Sequence, residues 1–204
     1  MKTLLESSSL ARIMPKNIEI EIQVNIEDEK PLLAFLEKSA VFKFETRQID
    51  EYFTPAHRDF IAVRPIAEWL RLRESNGHRS FTYKNWHYEG EKSFYCDEYE
   101  TEIKDLGQLK KALEALDFKP LIIVDKTRKV WLYKDFEIAI DSVKDLGNFV
   151  EIEYKGEDEN ADPGKTAERM IQFLKEVGCG KIMINYMGYP YLLLFPKEAK
   201  YKEV

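Results

Sequence analysis

The chain has 204 residues, 44% of them hydrophobic, with eleven Tyr, twelve Phe and three Trp. That is enough for one large domain with a substantial core, and it excludes an intrinsically disordered protein. A formal net charge of −6 argues against nucleic acid or a membrane surface as partner, so an anionic ligand needs a local basic cluster. No apolar run reaches the roughly 18 residues of a membrane span. Cys96 and Cys179 are too few for a disulfide framework and lack metal spacing, so reduced thiols in a cytoplasmic protein are expected.

The first 16 residues are Ser-rich, without a clear period, and are expected to be a flexible leader or tag; 17–204 form a single domain. A strand is predicted over 17–26, where Ile18, Ile20, Ile22 and Val24 alternate with Glu19, Glu21 and Gln23. A helix follows, with Pro31 in its first turn and Leu32, Phe35 and Leu36 at helical spacing. Strands are predicted over 41–53, 68–74, 79–86 and 93–103, the middle ones separated by turn residues such as Asn76-Gly77 and Glu89-Gly90. A second helix, 105–116, carries a Leu stripe at 106, 109, 113 and 116. Three more strands, 121–133, 136–143 and 148–154, are joined by Lys134-Asp135 and Asp145-Leu146-Gly147. After an acidic loop, Asp162 caps and Pro163 starts a third helix that stops at Gly178. Eight antiparallel strands suffice to close a barrel, so the expected class is α+β: a closed eight-stranded antiparallel barrel with helices packed outside.

Pairs of like charges two residues apart recur in these strands: Glu19/Glu21, Arg71/Arg73, Glu98/Glu100, Lys126/Arg128 and Glu151/Glu153. One such pair suits a solvated strand face; five of complementary sign point to a shared interior. Buried carboxylates this close raise one another's pKa unless a cation neutralises them. With Asp141 they offer hard oxygen ligands suited to Mg²⁺ or Mn²⁺. Arg71, Arg73, Lys84, Lys126 and Arg128 supply the forks and point charges that hold phosphate oxygens. The spacing therefore suggests a metal-bound polyphosphate as ligand. Trp69, Trp86 and Trp131 flank the cationic strands as packing, with stacking on a base as the alternative for Trp86, and Tyr186 and Tyr189 are placed at one mouth of the barrel.

In order along the chain, Glu19-Ile20-Glu21-Ile22-Gln23, Gln48-Ile49-Asp50-Glu51-Tyr52-Phe53, Arg58-Asp59-Phe60, Leu70-Arg71-Leu72-Arg73, Thr82-Tyr83-Lys84, Glu98-Tyr99-Glu100-Thr101, Lys126-Thr127-Arg128 and Asp141-Ser142-Val143 followed by Leu146–Glu153 form a specific set. This set resembles the CYTH domains, or triphosphate tunnel metalloenzymes, and most closely their class IV adenylyl cyclase-like branch. The resemblance implies a Mg²⁺- or Mn²⁺-dependent enzyme holding a triphosphate inside the barrel, and a homodimer fits that branch. It implies that Glu19, Glu21, Glu100, Asp141, Glu151 and Glu153 serve the metal. Arg71, Arg73, Lys84, Lys126 and Arg128 would hold phosphates, and these five with Glu19 and Glu21 would be the catalytic residues. One position departs: where the ExExK signature ends in Lys, this chain has Gln23, whose amide can hydrogen-bond a phosphate oxygen but carries no charge. Three functions are compatible with the motifs: conversion of ATP to cyclic AMP and pyrophosphate, hydrolysis of a triphosphate (inorganic, thiamine or nucleotide), and binding without turnover.

Overall fold

The computed structural model describes residues 18–158 and 160–204; the expected leader lies outside them. The order of elements is β1 (Ile18–Ile26), α1 (Lys30–Ser39), β2 (Val41–Pro55), β3 (Glu68–Ser75), β4 (His78–Trp86), β5 (Tyr95–Glu102), α2 (Leu106–Ala115), β6 (Phe118–Tyr133), β7 (Phe136–Val143), β8 (Gly147–Tyr154), α3 (Pro163–Val177), β9 (Ile182–Asn185), α4 (Gly188–Leu194) and β10 (Lys202–Glu203). Strands β1-β5-β4-β3-β2-β6-β7-β8 are hydrogen-bonded in that order, and β8 pairs back onto β1. The eight-stranded antiparallel barrel is closed, apart from the stretch of β1 that β5 leaves unpaired. The four helices lie outside it.

Local chemistry accounts for the boundaries. Asn76 and Gly77 both take positive φ (47° and 82°) in the two-residue β3–β4 turn, the conformation such hairpins require. Asp105 and Asp162 cap α2 and α3 through the backbone N–H groups of Gln108 (3.0 Å) and Lys165 (2.8 Å). Gly178, at φ 89°, ends α3 in the left-handed region. Strand β6 starts three residues before the sequence suggests and contains Pro120, which sits where the β2–β6 register shifts. Proline is tolerated there because a ladder bond is already lost. Arg58-Asp59-Phe60 proves structural: Asp59 accepts from the Thr54 hydroxyl (3.0 Å) and the Ile61 N–H, Arg58 Nη1 donates to both Glu68 oxygens (2.6 and 2.7 Å), and Phe60 is buried.

Three apolar clusters follow from the alternation. Outward-facing Ile22, Ile138, Ile140 and Ile152 pack under α1 and α3. Phe53, Leu70 and Leu72 pack under α2 and the 60–62 turn. The third gathers Tyr52, Trp69, Val124, Val143 and Phe149, all from the same end of five barrel strands, against Tyr189, Tyr191 and Leu192 of α4. Helix α4 thus closes one end of the barrel. The other end is open, and the charged side chains become exposed there: Glu100 is 49% and Lys155 45% accessible.

The C-terminal elements β9, α4 and β10 were not expected. Strand β9 exists because β1 changes partner along one edge: residues 18–20 pair with β5, and residues 23–26 pair with β9. The same residues 21–24 keep β8 on the other edge. Beyond its first turn, then, β1 has a vacant edge, and β9 fills it.

Candidate functional site

The barrel encloses a cavity of about 250 Å³. Of the residues expected to serve the metal or the phosphates, all but Asp141 line it: Glu19, Glu21 and Gln23 from β1, Arg71 and Arg73 from β3, Lys84 from β4, Glu100 from β5 beside its pair-mate Glu98, Lys126 and Arg128 from β6, and Glu151 and Glu153 from β8. They meet because period-two alternation sends one face of each strand inward. Strand order then sorts them by sign. Four contiguous strands, β7-β8-β1-β5, bring the glutamates; the other four, β4-β3-β2-β6, bring Lys84, Arg71, Arg73, Lys126 and Arg128. The exceptions are Asp50 on β2, among the cations, and Lys155 just past β8.

Each cation already has a partner. Arg73 forks onto Asp50 through Nε (2.7 Å) and Nη2 (2.6 Å). Arg71 donates to the Thr82 hydroxyl (3.1 Å) and lies 3.8 Å from Asp50, and its buried Nε has no partner among the described residues. Arg128 forks onto Asp141 (2.8 and 2.6 Å) and reaches Glu151 (2.7 Å). Lys126 donates to Asp141 (3.0 Å) beneath the Tyr189 ring. The Lys84 ammonium is bonded to Glu19 and stands 3.9 Å from Glu21 and 3.8 Å from Glu98.

Asp141 is fully buried behind the cavity wall and also accepts from the Tyr189 hydroxyl (2.9 Å). Both of its oxygens are occupied, so it holds the two β6 cations in place. Glu100 is tied to Thr82 (2.8 Å), Ser80 (3.4 Å) and Arg71. Further lining groups escaped the charge-pair pattern, among them Asp50, Tyr52, Thr82, Glu137 and Lys155. Gln48-Asp50-Tyr52 carries the same spacing of two, which is the signal for the first two. Trp131 is a core residue, Trp69 is buried but reaches the cavity wall, and half-buried Trp86 lines the cavity.

Burial weakens every one of these ions, and the outcome depends on its partner. Burial works against the Glu19 carboxylate, but the Lys84 charge and hydrogen bond hold its pKa down to about 2. Burial is likewise outweighed at Asp50 by Arg73 and Arg71, and at Asp141 by Arg128 and Lys126, which hold both well below the usual carboxylate range. Glu21 lacks such a partner: burial, then Glu19, Glu151 and Glu153, pushes it well up despite Lys84. Burial and Glu19 push Glu153 up to about 7. Lys126 is pushed down to about 8 by burial and Arg128, against Asp141 and Glu151.

Eight carboxyl groups and six cations line the cavity, and with protons retained on Glu21 and Glu153 the two signs come close to balance. A polyanion alone would upset that balance. Glu19, Glu21, Glu151 and Glu153 sense one another's charge and have hard oxygen donors, so the donor set fits a divalent cation in chemistry and in sign. Among the described residues, no three His, Cys, Asp or Glu side chains converge as a ready cage; Lys84 sits among the carboxyls instead.

A pH dependence follows. Glu21 and Glu153 keep protons in the folded chain that the unfolded chain gives up from about pH 4.5. Stability is therefore expected to fall as pH rises from about 4.5 towards 7, by at most about 1.4 kcal/mol per unit for each group. Glu19, Asp50, Asp141 and Glu151, whose pKa values are lowered, act oppositely, and their stabilisation is lost only below about pH 4.5. Mn²⁺ or Mg²⁺ should flatten the first dependence by replacing the protons. Thermal unfolding across this range, with and without Mn²⁺, measures it; a midpoint that climbs steadily with pH in the metal-free protein would contradict the assignment.

The structure is thus a closed antiparallel barrel with cations on one half of its interior and carboxylates on the other. Comparison with known proteins agrees: the CYTH domain family model matches residues 17–180, and the chain belongs to the CYTH domain family. It is 33% identical over 178 residues to a Methanocaldococcus jannaschii protein named "Putative adenylate cyclase", covering 84% of this chain and 96% of that one. The PH1819 protein of Pyrococcus horikoshii OT3 superimposes with a TM-score of 0.68 at 27% identity, over 88% of this chain and 99% of that one. A Hippeastrum protein named "Putative adenylyl cyclase", described as having a dominant triphosphatase activity, shares the fold. Its TM-score is 0.60 at 18% identity, over 88% of this chain and 95% of that one.

Proposed function

We propose that this protein is a divalent-metal-dependent enzyme acting on a triphosphate inside its barrel, and that it converts ATP to cyclic AMP and pyrophosphate. The observation that carries the reading is the segregated interior, with carboxylates for a cation on one half and basic groups for a polyanion on the other. Glu19, Glu21, Glu151 and Glu153 would hold Mg²⁺ or Mn²⁺, which when bound neutralises phosphate charge and stabilises the leaving oxygens. Arg71, Arg73, Lys126 and Arg128 would hold the non-bridging phosphate oxygens, the arginines as forks. Lys84, released from Glu19, adds a point charge. Asp50 and Asp141 aim the cations, and closure by α4 keeps water out of that end. Catalysis then rests on positioning and on electrostatic stabilisation of an in-line displacement. The buried free thiols of Cys96 and Cys179 accord with a reducing, cytoplasmic setting. No helix among the described residues is long and apolar enough to cross a membrane.

Hydrolysis of a triphosphate is the second reading. The phosphate-holding residues serve either reaction, and the Hippeastrum relative is described by its triphosphatase activity. Incubation of the purified protein with ATP or inorganic triphosphate and Mg²⁺ or Mn²⁺, scoring cyclic AMP, pyrophosphate and orthophosphate separately, decides between them. Cyclic AMP with pyrophosphate supports the first and orthophosphate the second. Saturable binding without products reduces the protein to a binding module.

A further inference from the structure

We propose that the closed end of the barrel binds the uncharged, heterocyclic part of an organic triphosphate, with the Gln23 amide donating to a neutral acceptor on it, so that the chain selects a nucleoside triphosphate over inorganic triphosphate. The proposal rests on the triphosphate reading above.

Gln23 is 7% exposed and lines the cavity. Its orientation is fixed by a short relay. Asn185 on β9 accepts the backbone N–H groups of Met187 and Gly188 through Oδ1 (3.2 Å each). Its Nδ2 is therefore the end that reaches Gln23, donating to Oε1 (3.1 Å). An amide has one acceptor end and one donor end, so Gln23 Nε2 is left facing the cavity without a partner among the described residues. Aimed into the cavity, this N–H group is free to donate to a ligand acceptor.

The ligand group that fits is neutral. Gln23 lies opposite Glu151 on β8 and two residues from Glu21. An amide here adds no charge of its own, and the cations nearest it are already engaged: Arg128 by Glu151 (2.7 Å), and Lys84 by Glu19, 3.9 Å from Glu21. A phosphate at this spot would have to displace those carboxylates. A carbonyl, ring nitrogen or ether oxygen meets no such opposition.

The surroundings suit a flat ring. A small side cavity of about 30 Å³ opens beside Gln23 where β5 and β9 divide the edge of β1, and Trp86, Ser93, Asn185, Tyr186 and Met187 are among its walls. It shares Glu21, Gln23, Trp86, Met187 and Gly188 with the main cavity. The side cavity holds the edge of a ring, and the main cavity holds the rest against Trp86. Inorganic triphosphate has nothing to place there.

Calorimetric titration with Mn²⁺ present, using inorganic tripolyphosphate and α,β-methylene-ATP as probes, tests this. The wild type should bind the ATP analogue at least about tenfold more tightly, because a site built to hydrogen-bond a group penalises a ligand lacking it. Gln23→Lys should strengthen tripolyphosphate binding and erase that preference. Asn185→Ala and Trp86→Ala, which add no charge, should weaken the analogue and leave tripolyphosphate unchanged. Equal affinity of the wild type for the two probes, or an equal gain for both in Gln23→Lys, would overturn the proposal. Tripolyphosphate binding without analogue binding would overturn it while leaving the triphosphate reading intact. Binding of neither would remove both.

Discussion

Replacing Asp141 with alanine is expected to lower the free energy of unfolding by about 3–5 kcal/mol, the usual effect of stranding buried charges. Its carboxylate accepts four hydrogen bonds, from Lys126, twice from Arg128 and from Tyr189. Arg128 would retain Glu151, but Lys126, only 3% exposed, would keep no carboxylate partner. Tyr189 belongs to α4, so the change would also loosen the closed end. Urea unfolding should show a lower midpoint with an unchanged slope. Added tripolyphosphate with Mn²⁺ should narrow the deficit by giving the cations a new partner. A loss below about 1 kcal/mol would instead mean that these ions are well solvated once the aspartate is gone.

Glu19→Ala and Arg73→Ala are each expected to reduce turnover by about 10²–10³-fold, the range found when one preorganised electrostatic contact to a transition state is removed. Their routes differ. Arg73→Ala deletes a fork on the phosphate side and leaves Asp50 with only the more distant Arg71. Glu19→Ala deletes a carboxylate from the acidic half and frees Lys84. Turnover at saturating ATP and Mn²⁺, with unfolding curves recorded in parallel, separates catalysis from stability. Retained turnover in a folded variant of either kind would put the chemistry elsewhere.

Much of the site was legible because alternation along a strand is a local property. Glu19/Glu21, Arg71/Arg73, Lys126/Arg128 and Glu151/Glu153 each declare a face, and closure of the barrel turns all those faces inward. What sequence could not supply was adjacency. The gathering of acids on one half of the interior depends on β1 lying between β5 and β8, strands distant along the chain. Asp141 is an inward acid on its strand without a charged residue two positions away; only the fold shows both its oxygens already occupied. The C-terminal segment was opaque for another reason. Strand β9 has four residues and α4 seven, with Pro190 within it. Too few residues show a period, and their stability comes from the vacant edge of β1 and from aromatic packing rather than from propensity.

A barrel stoppered by α4 is a cul-de-sac. A molecule that enters head first must back out, and the fragment formed deepest cannot depart until the one nearer the door has gone. The five cations proposed to hold a triphosphate would hold a released polyphosphate as well. Egress, rather than bond cleavage, is then expected to set the pace once the chamber is full, with accumulated product competing with fresh substrate for the same threshold.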